Sequence, residues 1–424
     1  MGKPLVKRIA IVGGGVAGLT AAWALHRESD VTLYESDARL GGHAHSHVIH
    51  RPAGGADVVD TGFIVMNTVT YPTFTRLLGE LRVRTQPAEM SMSVSCGGCG
   101  IEYAGARGPA GLFAQRASTR NPRYLRMLTE IPRFHRAARK LLATESGGDE
   151  PLRDFLSRNR FSEYFVDHFA IPIVACVWSC SPGIALDYPA RYLFSFLDNH
   201  GMLRIWGSPQ WQTIVGGSRE YVNRIADALP DIRLGTGVTA VNRHADHVSI
   251  TTNSGVIDNY DAAVIATHPD QALSMLANAT DLERELLGAF AYSSNPTQLH
   301  SDESILPRSR RARASWNFRT QSCGGSAAEP VAVTYDMNHL QRIDSPNRYL
   351  VSLNSAAAID PSRVRDQMSY SHPQYTPTSV EAQRRLPELN SPQLAFAGAY
   401  HGWGFHEDGA RSGLAAAQEL GARW

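Results

Sequence analysis

Short apolar runs set the rhythm of the chain's two ends. Arg8-Ile-Ala-Ile-Val12 has the length and β-branched content of a strand buried on both faces. It runs into Gly13-Gly-Gly-Val-Ala-Gly18, and the pattern from Leu19 to Arg27 is helical. Val31-Thr-Leu-Tyr-Glu35 reads as a second strand that ends on an acid, so the chain opens as a βαβ unit. A strand and turn follow over 56–65, and from about Tyr71 to Leu203 the periodicity is mainly helical, broken by a hairpin around Cys96–Tyr103. Past Gly216 a helix opens, then strands at Ile232–Leu234, Val238–Arg243 and His247–Thr252, a polar turn, and the apolar run 262–267. Between 290 and 360 strand-like segments dominate (Thr297–His300, Ala314–Phe318, Val331–Tyr335, Tyr349–Leu353), with a Gly/Ser/Ala-rich loop at 321–329. The chain ends on a buried strand, 394–398, a glycine-rich loop and a last helix.

With 424 residues, more than one hydrophobic core is expected. A formal charge of +1 excludes a general nucleic-acid binder, which would carry a basic surplus. No apolar run approaches the roughly 18 residues that span a bilayer, and five scattered cysteines make no disulfide framework. These features point to a cytoplasmic protein with no transmembrane segment, peripheral membrane contact remaining open.

Gly13, Gly15 and Gly18 have the G-x-G-x-x-G spacing: a tight turn, backbone approach to a pyrophosphate, and close packing of helix on sheet. The helix beginning at Val16 and Ala17 turns its free N–H groups and positive dipole end toward the phosphates. Glu35 stands about 20 residues on, where a ribose hydroxyl is held, with Ser36 beside it. The continuation to Arg39, Gly41, Gly42 and His43 resembles the E-x-x-x-R-x-G-G segment of glutathione-reductase-type flavoproteins, which favours FAD over NAD.

The resemblance is to the flavin amine oxidase superfamily, and more narrowly to a bacterial group of FAD-dependent, amine-oxidase-like proteins. It is carried by Gly-Gly-His-Ala-His at 41–45, Phe-Leu-Asp-Asn-His-Gly at 196–201 and Gly-Phe-His-Glu-Asp-Gly at 404–409. It implies an α/β fold: a glutathione-reductase-type FAD-binding Rossmann domain from 1–70, 211–275 and 386–424, with an inserted mixed α+β substrate domain from 71–210 and 276–385. It further implies flavin contacts from Thr61, Gly62 and Phe63, from Ala266 and from Gly398, Gly404, Phe405 and His406, with Val238 at the adenine. The small C-terminal loop would let a flat ring lie on backbone, with the last helix's N-terminus toward the flavin N1/C2 region.

The reaction implied is hydride transfer from a hydrophobic substrate, a fatty acyl chain in the first instance, to flavin N5, as oxidation or desaturation. Amine oxidation with peroxide release, double-bond isomerisation, and a non-catalytic flavin scaffold beside a methyltransferase or lipid enzyme are the alternatives. The aromatic wall is expected from Phe63, Tyr400, Trp403 and Phe405, with Trp178, Trp206, Trp211 and Trp316 as further candidates; Phe405, His406, Tyr400 and Trp403 are the catalytic candidates. Two departures from the amine oxidases stand out. None of the three lysines (Lys3, Lys7, Lys140) is placed for the flavin, and Ala399 occupies a position where relatives carry an acid.

No second strand–GxGxxG–helix unit occurs, so the acceptor is oxygen, a quinone or a partner protein unless the redox cycle closes within one substrate. No metal site is expected. His43, His45 and His47 would share a strand face, but the glycines put His43 at the pyrophosphate; Cys96-Gly-Gly-Cys99 has zinc-ribbon spacing with no second pair; Cys176 and Cys180 read as buried positions four apart on one helix.

Overall fold

A computed structural model describes residues 6–52, 54–144, 150–204, 207–324 and 331–424. The opening apolar run forms the middle of a five-stranded sheet, in the order Asp231–Arg233, Asp30–Tyr34, Arg8–Val12, Ala262–Ile265, Leu394–Phe396. Every pairing is parallel, with Ile11 opposite both Leu33 and Val264. Parallel neighbours need long crossovers, and so strands far apart in the chain meet here. Four of the five residues of Arg8–Val12 are buried, as a sheet covered on both faces requires.

One cover is the helix Val16–Leu25, which the final helix His406–Glu419 crosses at close range. A side chain at Gly413 would meet the Ala17 carbonyl oxygen at 2.1 Å, so small residues set that approach.

The antiparallel strands Val238–Arg243, Val248–Thr252 and Ile257–Tyr260 form a separate small sheet. Its third strand falls where the sequence suggests a polar turn; Ile257 is 65% exposed on this outer strand, so it carries no buried apolar signal.

Away from the five-stranded sheet, seven strands run in the order Val364–Gln374, Ala291–His300, Leu350–Leu353, Ala332–Asp336, Trp316–Thr320, Met92–Cys96, Glu102–Ala104. The hairpin expected around Cys96 is thus the end of this sheet, joined to Trp316–Thr320 in parallel. The long strand Val364–Gln374 escapes the hydrophobic pattern. It is mostly polar and carries Pro373, which an outer strand tolerates.

Helices cover the sheet. The longest, Pro122–Leu142, is capped by the Asn121 carboxamide, which accepts from the Arg123 and Tyr124 N–H groups. Its Phe134 packs among Phe155, Phe161, Phe165, Phe169 and Phe194. The helix Ile171–Trp178 stops at Ser179, which takes a left-handed conformation (φ +53°). Cys176 and Cys180 therefore do not share one helix, although both are buried. Among the described residues no helix is long and apolar enough to cross a membrane.

Asp60, at the end of the strand Ala56–Asp60, ties its hairpin with Ser46–His50 to the start of the helix Arg219–Ala226 and to Gln341. Its buried carboxylate accepts from Ser46 Oγ, Ser218 N and Oγ, and Gln341 Nε2, while its own N–H donates to Gln341 Oε1. Removing it strands four buried donors. Asp60→Ala is expected to lose roughly 3 kcal/mol in urea denaturation, with the midpoint lowered and the slope unchanged.

Candidate active site

The Gly13–Gly18 turn opens on a continuous cavity of about 580 Å³ between the five-stranded sheet and the seven-stranded sheet. One end is lined by glycines and backbone, the other by aromatic side chains.

At the first end, the three fingerprint glycines do different things. Gly13 sits at φ +105°, a turn a side chain would strain, and its N–H donates to the Tyr34 carbonyl. Gly18 packs so closely that a Cβ would lie 1.9 Å from the Gly13 carbonyl oxygen; it does not line the cavity. Gly15 lines it, and a Cβ there would meet nothing within 4 Å. A cradle that a side chain would fill, at the start of a ten-residue helix, fits the pyrophosphate of a dinucleotide.

Glu35 lies one residue past its strand. Its Oε2 accepts from Gly14 N at 2.7 Å and its Oε1 from Asp37 N at 2.9 Å. Glu35 and Ser36 face the cavity together with Thr236, Gly237 and Val238. Arg39 does not reach it. The guanidinium turns onto the Gly42 and Leu40 carbonyls and braces the Gly41–Gly42 turn, while Gly41, Gly42 and His43 themselves line the cavity.

Thr61, Gly62, Phe63, Ala266 and Gly398 form the middle, where Phe63 N–H donates to the His43 carbonyl. Phe63 stacks on His406 at 3.7 Å between ring centroids, and His406 Nε2 contacts Tyr221 OH at 3.0 Å. Gly404 (φ +93°) and Phe405 follow at the mouth of the final helix. The Gly402 carbonyl beneath this loop accepts from Tyr192 OH, Tyr375 OH and Gln383 Nε2, which holds the loop rigid.

The acids beside His406 serve the fold. Asp408 Oδ2 accepts from Phe405 N, and Glu407 accepts from the Thr73 and Phe74 N–H groups at the start of the helix Pro72–Glu80.

The aromatic end contains Trp178, Trp211, Trp316, Tyr335, Phe196 and Phe405, with Met90, Met202 and Leu353. Phe405 stacks on Phe196 at 4.9 Å. Tyr400 lines the cavity, whereas Trp403 does not: it packs against Tyr192 and Phe196, and its carbonyl accepts from Trp178 Nε1. Trp206 lies outside the described residues, as does Lys3. Lys7 donates to the Leu420 carbonyl and Lys140 is exposed on the long helix, so neither enters the cavity.

Several lining residues carry no signal in the sequence pattern. Tyr370 and His372 come from the polar strand Val364–Gln374, and His268 and Tyr292 flank them. Phe196 and His200 belong to the 196–201 motif, whose four-residue spacing could have placed both on one helical face.

His43 and His45, expected on one strand face with His47, part company. The strand begins at Ser46, His45 packs on His47, and His43 turns toward Tyr370 and His372. Burial holds His43 well below its ordinary pKa, His372 near 4 and His406 near 3, so the imidazoles here are neutral. A neutral, fully enclosed His406 is poorly suited to be the general acid or base. His43 Nε2, Trp316 Nε1 and Tyr400 OH are buried at the cavity with no hydrogen-bond partner among the described residues, which leaves donors and acceptors for bound groups.

Cys96 and Cys99, which no second such pair follows in the sequence, have Cys323 and His168 beside them in the fold.

The family model for flavin containing amine oxidoreductase matches residues 16–296. Among solved structures, putrescine oxidase with putrescine bound superposes with a TM-score of 0.69 at 14% identity, over 99% of this chain and 100% of that one. Cyclohexylamine oxidase from Brevibacterium oxydans IH-35A gives 0.69 at 17%, over 98% of both chains. A CLA-producing fatty acid isomerase from P. acnes gives 0.69 at 15%, over 98% and 99%. At these identities the likeness is one of fold. No curated protein sequence matches the chain.

Proposed function

Since this chain belongs to the flavin containing amine oxidoreductase family, we propose that it is an FAD-dependent oxidoreductase acting on a neutral hydrophobic substrate, a fatty acyl chain in the first instance. The observation that carries this reading is the charge of the cavity. Among the described residues that line it only Glu35 is a carboxylate, at the fingerprint end, and none is a lysine or arginine. An ammonium substrate buried among Trp178, Trp211 and Trp316 would find no carboxylate there, and leaving a cation unpaired in such a site is costly.

FAD, when bound, supplies the hydride acceptor. The segments 1–70, 211–275 and 386–424 hold it; 71–210 and 276–385 enclose the substrate. Gly13, Gly15, Val16 and Ala17 cradle the pyrophosphate, Glu35 and Ser36 take the ribose, and Val238 meets the adenine. Gly41, Gly42, His43, Thr61, Gly62, Phe63, Ala266, Gly398, Gly404, Phe405 and His406 surround the remainder. The positive end of the helix His406–Glu419 favours negative charge on the ring. Phe405 and Tyr400 wall the substrate and exclude water. The fatty acid isomerase among the structural neighbours supports the lipid reading, because it shares this fold.

The test is anaerobic mixing of the FAD-loaded protein with unsaturated fatty acids, acyl phospholipids, diamines and cyclic amines, followed by flavin absorbance and product mass. Bleaching by an acyl substrate and none by amines is expected. Bleaching by amines alone would overturn the substrate class.

A further inference from the structure

We propose that Cys96, Cys99, Cys323 and His168 bind a zinc ion at four-coordinate, structural geometry. The four side chains lie outside the cavity and offer ligand atoms all within 4.8 Å of one another. They come from three separate pieces of the chain. Cys96 ends the strand Met92–Cys96, Cys99 lies in the turn that follows it, His168 sits in the π-helical turn Val166–Ala170, and Cys323 follows the strand Trp316–Thr320.

The spacing matches zinc. With Zn–S bonds of about 2.3 Å and Zn–N of about 2.0–2.1 Å, a tetrahedron sets two sulfurs about 3.8 Å apart and a sulfur and nitrogen about 3.5 Å apart. Here Cys96 Sγ lies 3.7 Å from Cys323 Sγ, and Cys99 Sγ lies 3.4 Å from His168 Nε2.

The imidazole is oriented as a metal ligand. Its Nδ1 sits 3.0 Å from the Tyr164 carbonyl, which accepts the Nδ1 proton and leaves the Nε2 lone pair facing the three sulfurs. The Tyr164 ring stacks on the imidazole at 4.1 Å, and its hydroxyl is 3.8 Å from Cys99 Sγ, placed to donate to a thiolate.

The two residues between Cys96 and Cys99 are glycines for a reason of space. A Cβ on Gly98 would meet Cys323 N at 2.9 Å, and one on Gly97 the Gln321 carbonyl oxygen at 2.8 Å. The turn is thereby pressed onto the segment that brings the third thiol. Gly97 N–H donates to the Thr320 carbonyl and Gly100 N–H to the Cys96 carbonyl, as a zinc-binding turn requires its backbone to be fixed.

Four protein ligands leave no open position, so the ion is structural and not a catalyst. It clamps the helical cover, through His168, to the seven-stranded sheet, through Cys96 and Cys323. Those two layers contribute Trp178 and Trp316 to the walls of the cavity, so the ion fixes their separation.

The experiment uses the full FAD-loaded chain, purified under reducing conditions from zinc-supplemented medium. Metal analysis is expected to give one zinc per chain, and X-ray absorption at the zinc edge three sulfur neighbours and one nitrogen. Cobalt(II) exchanged into the same protein should show tetrahedral bands at wavelengths beyond the flavin absorption. Cys323→Ser and His168→Ala should lose the zinc while keeping FAD, and His168→Cys should retain both. Folded, FAD-bearing protein with no zinc above background would overturn the proposal, as would a zinc edge showing mainly oxygen neighbours or a Cys96–Cys323 disulfide in place of metal. If a variant does not fold, the zinc edge of the unmodified chain still decides.

Discussion

Gly15→Val yields a folded protein that no longer retains FAD. The backbone of Gly15 (φ −75°) suits any residue, and a Cβ there meets no other atom within 4 Å, so the fold has no objection to a side chain. The change in apoprotein stability is expected to stay within about 1 kcal/mol. The isopropyl group nevertheless occupies the space in which a pyrophosphate must approach the helix N-terminus. An affinity loss of at least about 100-fold, roughly 2.7 kcal/mol, follows. The ratio of flavin to protein absorbance after gel filtration reads the first effect and thermal denaturation the second. Gly18→Ala gives the opposite signature, since its Cβ would lie 1.9 Å from the Gly13 carbonyl oxygen and push the helix off the sheet. Stoichiometric FAD in Gly15→Val would remove the fingerprint from the account.

The second large effect is acid instability between about pH 6.5 and 4. Burial, the leading cause in each case, lowers His45, His135, His300, His372 and His401 to about 4 and His406 to about 3. A base whose folded pKa is depressed leaves the unfolded chain binding more protons in this window, so stability is full above about pH 6.5 and falls with pH. Asp60 and Asp408, raised to about 6 by burial, act the other way, because the folded state holds their protons more tightly. Six histidines against two carboxylates leave a net of about four protons, or at most about 5 kcal/mol per pH unit. Over two units that approaches about 10 kcal/mol, comparable to the whole stability of a typical fold at about 5–15 kcal/mol. Urea denaturation at stepped pH should show the midpoint falling steeply below pH 6.5; a flat profile down to pH 4.5 would contradict the neutral-histidine description.

What could be read from the sequence was local. The strand, glycine turn and helix at 8–25 lie within one short stretch, and their apolar run is forced by burial on both faces. Glu35 and the 404–409 loop announced themselves in the same way. The strand Val364–Gln374 did not, because an outer strand with polar residues and a proline has no hydrophobic rhythm, and Tyr370 and His372 went unseen with it. Arg39 and Trp403 were placed on the correct loops, but one turned inward to carbonyls and the other behind Phe405's neighbours, which sequence position cannot decide. The partners of Cys96 and Cys99 are separated from them by whole elements, so no spacing rule finds Cys323 or His168.

The most direct test of the central claim is a crystal structure of the protein purified with its own flavin. FAD density is expected to run from Gly15 and Glu35 to Gly404, with the ring between Phe63 and Phe405 and its open face on the chamber of Trp178, Trp211 and Trp316. Flavin bound elsewhere on the chain, or folded protein that cannot be loaded with FAD, would contradict it.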